Sequence, residues 1–339
     1  MNRTLWLLLA GLVAVLAIPF LLGGTDLIHQ LAGFPLWLFA LMLGMILVCW
    51  FINGLKLKVL LAGHAGPLGS LRAMAIMMAT EFAICATPGG TGGPLTLMAL
   101  LARRGVRPAR TTAVFAVDQI IDLVFFLSAM IGMMIYVITR AIDVRLGWML
   151  MVPLLMLIGG LILILLLGRY HRGLMRLLGR ILAGLRVRSH TRRKLARRLL
   201  NFRNALAETL QMPRYRLLTA FLLGVVHWVI RYSVLYFTLI GLGQHLDWAW
   251  TFLVQMLSMA AGQITLLPGG AGGAELSSSA LLAPVIGQST AAAAILIWRA
   301  VTYYFYLVAG APAFMLMAGR PLLRRVLSAR RQEESEPGD

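Results

Sequence analysis

Cysteine and acidic residues are scarce in this sequence: two Cys and 12 Asp plus Glu in 339 residues. Cys49 and Cys85 both sit in apolar runs, so a disulfide framework or a zinc site is excluded. They read as small hydrophobes packed in a core. Only 13% of the chain is charged, about half the share of a soluble domain, which excludes a soluble enzyme, a disordered tail and a coiled coil. HExxH, Walker, GxSxG and CxxC patterns are missing too, so metal-assisted hydrolysis, ATP hydrolysis and serine chemistry lack their parts. His64 and His171 fall at the edges of apolar runs and read as neither metal nor substrate ligands. No metal and no cofactor is called for. What is present is apolar: 60% hydrophobic residues and a mean hydropathy of +0.84. That composition describes an all-α polytopic membrane protein.

Six stretches are long and apolar enough to cross a bilayer, each near the 20 residues a helix needs: 5–24, 35–55, 111–138, 147–168, 217–241 and 289–317. The first follows Arg3 as a signal peptide would, but IPFLLGG is a poor cleavage site, and the stretch reads as a retained helix. Two further stretches, 73–101 and 251–283, are interrupted by PGGTGG at 88–93 and PGGAGG at 268–273. Proline removes a donor and glycine removes helical preference. Pro88, Gly89, Gly90, Gly92 and Gly93, and Pro268, Gly269, Gly270, Gly272 and Gly273, are therefore expected to unwind two helices at membrane depth. Such backbone survives there only when buried in protein or lining a wet cavity.

Basic residues orient this layout. With the N-terminus inside and the broken stretches re-entrant, 27 of the 31 Lys and Arg fall on the cytoplasmic side and only Arg140 and Arg145 outside. That asymmetry is the positive-inside rule. The net charge of +19 is thus an orientation signal and a contact with anionic lipid, and nucleic acid is not needed to explain it. Fourteen of the basic residues lie between 169 and 216, an amphipathic segment expected along the inner leaflet. The chain reads as one transmembrane domain, 1–320, followed by a polar cytoplasmic tail, 321–339.

The two glycine motifs are 180 residues apart, each between two spanning helices. The copies, about 35–138 and 217–317, enter the membrane from opposite sides. Inverted repeats with broken helices meeting near the midplane are a recurrent plan of secondary transporters. Six charges fall inside the apolar stretches: Glu81, Asp118, Asp122, Arg231, Glu275 and Arg299. Each costs about 2.5–3.5 kcal/mol at a helix centre, so partners must offset them. Mutual pairing is one solution, and a wet cavity holding a polar ligand is the other. Asp118 with Asp122, His227 with Arg231, and Arg299 with Tyr303 are each four apart and share a helix face. Arg231 and Arg299 suit a phosphate, which guanidinium grips bidentately. Glu81, Asp118, Asp122 and Glu275 suit charge balance, a cationic headgroup or proton carriage.

PGGTGG at 88–93, LLPGGAGGAE at 266–275 and WRAVTYY at 298–304 resemble the membrane domain of lysylphosphatidylglycerol synthases, the flippase half of the multiple peptide resistance factor. The resemblance spans about 5–320. It implies a translocase of the bacterial inner membrane for an anionic or aminoacylated phospholipid, or a polyprenyl-linked lipid, working beside a separate lipid-modifying enzyme. By similarity Glu275 and Arg299 carry function. The sequence shows no soluble aminoacyltransferase domain, which implies that it does not itself make lysyl-lipid. Two other readings stay open: an integral-membrane transferase with Asp118 and Asp122 at its centre, and an ion- or proton-coupled solute carrier.

Overall fold

The computed structural model describes residues 26–139, 189–265 and 267–319, with 13, 15–21, 23, 24, 151, 154, 155 and 157–162. The helices in chain order are α1 (Asp26–Ala32), α2 (Leu36–Leu61), α3 (Ser70–Ala86), α4 (Gly92–Ala102), α5 (Pro108–Thr139) and α6 (Ser189–Leu210). They continue with α7 (Arg214–Tyr232), α8 (Val234–Gly241), α9 (Trp248–Ile264), α10 (Gly273–Ile286), α11 (Gln288–Arg299) and α12 (Phe305–Phe314). Among the described residues there is no strand. The protein is all-α and polytopic, as its composition requires.

Four of the expected spans are continuous: Leu36–Leu61, Pro108–Tyr136, Arg214–Gly241 and Gln288–Met317. The first runs six residues past the expected end, carrying Lys56 and Lys58 on the helix, and Lys58 Nζ donates to Ser70 Oγ at 2.9 Å. Of the expected span 5–24, the described stretch Val15–Leu21 is helical, and it stands at 115° to α1, which lies beyond the expected end. Most of the expected span 147–168, much of the basic segment and the polar tail lie outside the described residues.

Both broken stretches fold as helical hairpins, as a re-entrant segment requires. α3 and α4 have 17 and 11 residues, α9 and α10 have 17 and 14. At about 1.5 Å per residue even the longer arms reach only about 26 Å, short of a hydrocarbon core of about 30 Å. Each pair of arms instead packs side by side. The turns are single 3₁₀ turns, Pro88–Gly90 and Pro268–Gly270, with Gly89 and Gly269 at φ of +59° and +65°. That left-handed conformation is open to glycine at little cost and explains the shared Pro-Gly-Gly.

The chain divides into two compact units. The first holds residues 1–58, 63–105 and 226–339, and with them α1, most of α2, both hairpins, the end of α7, and α8 to α12. Here the two Pro-Gly-Gly turns touch each other, tip to tip. α12 lies along α3, with the Phe82 and Phe314 rings 5.2 Å apart. Its largest fully buried side chains are aromatic, Trp50, Trp298, Tyr303 and Tyr306, joined by one cation, Arg299. The second unit holds 59–62 and 106–225. In it α5 packs on α6, where Arg110 pairs with Glu208 and donates to Thr209 Oγ1 at 3.3 Å.

α2 and α3 approach so closely at Gly54 that a Cβ there would sit 2.6 Å from the Met74 backbone nitrogen. Backbone cannot yield as a side-chain tip can, so Gly54→Ala is expected to cost about 1–3 kcal/mol. Gly44, on the same helix, has open space for 4 Å around the point a Cβ would occupy, and Gly44→Ala should change stability little or raise it through helix propensity. Thermal melting of the two variants in detergent separates close packing from a general glycine effect.

Candidate functional site

The first unit gathers four of the six membrane-depth charges into two acid–base pairs. Arg299, at the end of α11, sets its Nε 2.5 Å from Glu275 Oε1 on α10. Its Nη1 and Nη2 donate to the carbonyls of Gly269 (3.1 Å) and Gly270 (3.4 Å) in the second turn. Glu275 Oε2 in turn accepts the Gly272 N–H at 2.6 Å, so the carboxylate caps the first turn of α10. Arg299 and Glu275 have side-chain exposures of 2% and 0%. Two guanidinium nitrogens thus hydrogen-bond to the hairpin turn, and Nε approaches the carboxylate as an ion pair without hydrogen-bond geometry. Tyr303 completes this centre: its ring lies 5.9 Å from the Arg299 guanidinium and against Gly269. The helix passes through a π-helical segment, Ala300–Tyr304, before α12, and such interruptions are frequent at functional sites.

The second pair is looser. Arg231 Nη1 on α7 reaches Glu81 Oε2 on α3 at 3.4 Å, with side-chain exposures of 20% and 9%. Glu81 also accepts from Trp50 Nε1 at 3.2 Å and Asn53 Nδ2 at 2.8 Å, both on α2. The Arg231 guanidinium lies over the rings of Tyr306 (4.8 Å) and Trp228 (5.6 Å), two cation–π contacts. Gln255 Nε2 on α9 donates to the Arg231 carbonyl at 3.2 Å. One stretch of chain, Arg299 through Tyr303 to Tyr306, joins the two pairs.

Among the described residues, the buried polar atoms that make no hydrogen bond include Glu275 Oε1, Arg299 Nε and Tyr303 Oη at the first pair and Asn53 Oδ1, Gln255 Oε1 and Tyr306 Oη on residues that touch the second. Native interiors leave few such atoms, each at a cost of about 1–3 kcal/mol.

The remaining sequence candidates fall elsewhere. His227 pairs through Nδ1 with the Cys49 carbonyl at 3.3 Å, and the Cys49 thiol lies 3.6 Å from the His227 carbonyl. This reciprocal contact fastens α7 to α2. Asp118 and Asp122 share one face of α5, partly buried, in the second unit. His64 is exposed in the turn after α2, and His171 lies outside the described residues. Both cysteines are buried and free. Among the described residues no three His, Cys, Asp or Glu gather as a metal site.

Sequence reasoning missed Trp50, Asn53, Gln255 and Tyr306. Asn53 and Gln255 did carry a signal, being neutral amides inside apolar stretches, while Trp50 and Tyr306 are indistinguishable from ordinary core aromatics until the fold is known.

The family model for the lysylphosphatidylglycerol synthase TM region matches residues 7–310. The chain belongs to that family. The match contains both glycine motifs and both acid–base pairs, so the resemblance read from PGGTGG, LLPGGAGGAE and WRAVTYY holds over nearly the whole chain. As a member of the lysylphosphatidylglycerol synthase TM-region family it is a multi-pass membrane protein. No curated protein matches the chain.

Proposed function

We propose that the protein is a lipid translocase rather than an enzyme, moving a phospholipid or lipid-linked headgroup across the bacterial inner membrane. The observation that carries this reading is the meeting of two re-entrant tips beside two buried acid–base pairs. A bilayer protein tolerates such charges and such unwound backbone where they are paired and buried in protein or where polar groups pass, and the second case suits a translocase. Turns at membrane depth offer backbone groups to a headgroup while the acyl chains stay in lipid. Guanidinium groups suit the phosphate. The carboxylates keep the site near neutrality when it is empty. An anionic or aminoacylated phospholipid, or a polyprenyl-linked lipid, has the required chemistry, supplied by a separate lipid-modifying enzyme. The excess of basic residues on one side of the layout supports a cytoplasmic position for both termini.

The experiment is headgroup translocation in proteoliposomes with a fluorescent phospholipid and an impermeant quencher. The wild-type chain is expected to transfer lipid faster than protein-free vesicles, and the double variant Arg231→Ala with Arg299→Ala to lose the excess. No transfer by the wild type, or transfer by the double variant at the wild-type rate, overturns the reading.

A further inference from the structure

The last long helix, 288–319, is not one regular rod. α11 gives way to the π-helical segment Ala300–Tyr304, α12 follows, and a second π-helical segment ends it at Met315–Gly319. Such turns are rare, and sharp helix bends gather at them. In the first of them the Thr302 hydroxyl donates to the Trp298 carbonyl at 2.8 Å, a back-bond of the kind that bends helices.

Each half of this helix holds a different hairpin. α11 packs on α10 and α1, and its Ala291, Ala292, Ala293 and Ala294 are fully buried. At its end Arg299 donates to the Gly269 and Gly270 carbonyls of the second turn. α12 instead lies along α3, where a Cβ on Gly310 would sit 2.8 Å from Phe82 Cβ and 3.0 Å from the Met78 carbonyl oxygen. Farther on, Arg103 at the end of α4 donates to the Met317 carbonyl. The first hairpin is thus fastened to α12 and its continuation by both arms, and the second to α11.

Between the two sets of anchors stands Ala300–Tyr304, with the Tyr303 ring against Gly269. The second π-helical segment lies past Gly310 and Phe314, so bending there would not move one hairpin against the other. Trp50 of α2 meets Phe305 and Tyr306 with ring centroids 5.4 and 5.0 Å apart. Those contacts adjoin the joint, where a swing displaces atoms least. The hairpins themselves touch at their turns, far along the levers from the α12–α3 contact.

Resting on the translocase reading for what the motion serves, we infer that Ala300–Tyr304 is a hinge. α12, carrying the first hairpin, swings on it against α11, carrying the second, and the two Pro-Gly-Gly turns part. The structure holds the closed arrangement, with the turns in contact. Hinges of this kind are a few residues at element ends that absorb the change for two bodies that stay internally packed.

The test is hydrogen exchange read by mass spectrometry on the full-length protein in detergent. Amides across 301–306 are expected to exchange about 10-fold or more faster than those of 292–298 in α11, because hinge opening breaks their bonds while α11 stays packed. The variant Pro88→Cys with Pro268→Cys, on a Cys49→Ala and Cys85→Ala background, then allows the turns to be bridged by a reversible bis-thiosulfonate reagent. Bridging should slow exchange at 301–306 about 10-fold and reduction should restore it, with 315–319 unaffected as the control. In proteoliposomes bridging should stop lipid transfer by this variant, and reduction should return it to its own unbridged rate.

Exchange in 301–306 as slow as in α11, measured on the unsubstituted chain, overturns the inference whether or not the cysteine variant folds. So does exchange there that ignores the bridge, or lipid transfer that continues at full rate across bridged turns. Exchange as expected, with no transfer by the unsubstituted chain, keeps the hinge and removes the translocase reading instead.

Discussion

Arg299→Gln is expected to lower the stability of the fold by about 3–5 kcal/mol, the cost of leaving one member of a buried ion pair uncompensated. The guanidinium is among the largest fully buried side chains of the protein. Its loss strands the Glu275 carboxylate at 0% side-chain exposure with a single donor, the Gly272 N–H. It also removes the donors of the Gly269 and Gly270 carbonyls. The glutamine amide is too short to replace three nitrogens at once. The companion variant Glu275→Leu with Arg299→Leu removes both charges together, and its loss is expected to be smaller than that of Arg299→Gln alone. Replacing a buried pair by apolar groups is often close to neutral, although here the turn carbonyls still lose their donors. Arg231→Gln should cost less than Arg299→Gln, because that pair is longer, its cation is partly exposed and Glu81 keeps the Trp50 and Asn53 donors. Thermal melting and denaturant titration in detergent rank the three. A double variant as unstable as Arg299→Gln would remove the uncompensated charge as the cause.

Gly269→Ala has the second largest expected effect, about 2–5 kcal/mol from two separate sources. The backbone at Gly269 has φ +65°, and a Cβ would lie 2.1 Å from Tyr303 Cε2. The ring cannot swing aside, because Tyr303 is 1% exposed and packed beneath Arg299. Gly243→Ala supplies the control. That residue has φ +74° but nothing within 4 Å of the added methyl, so it bears only the left-handed backbone cost of about 1–2 kcal/mol. The difference between the two melting temperatures isolates the contact between the turn and Tyr303. Equal shifts would mean that Tyr303 does not support the turn.

Much of the candidate site was visible before the fold was known, for an electrostatic reason. A charge in an apolar run is expensive wherever its partner is, so Glu81, Arg231, Glu275 and Arg299 stood out without one. Their pairing did not. Glu81 meets Arg231 across a sequence separation of 150, and no local spacing encodes that. Of the two solutions open to the sequence, mutual pairing is realised for these four charges. The other two acids, Asp118 and Asp122, belong to the other unit. Trp50, Asn53, Gln255 and Tyr306 became site residues only when α2, α7, α9 and α12 were brought to the Glu81–Arg231 pair. The similarity of Glu275 and Arg299 to the family pattern gave no sign that their hydrogen bonds are already spent.

Length, apolar periodicity and the Pro-Gly-Gly breaks settle the class of this protein by themselves, since hydrocarbon thickness and the conformational needs of proline and glycine act within a few turns of chain. The sequence therefore located the four continuous spans among the described residues, the two places where helices unwind and the charges that need company. Only the tertiary structure decided that each broken stretch doubles back, that the two tips touch, and that Arg299 is bound up in a turn while Arg231 retains donors. Those outcomes depend on which side chains meet across distant segments, and packing of that kind is decided by the whole assembly of helices.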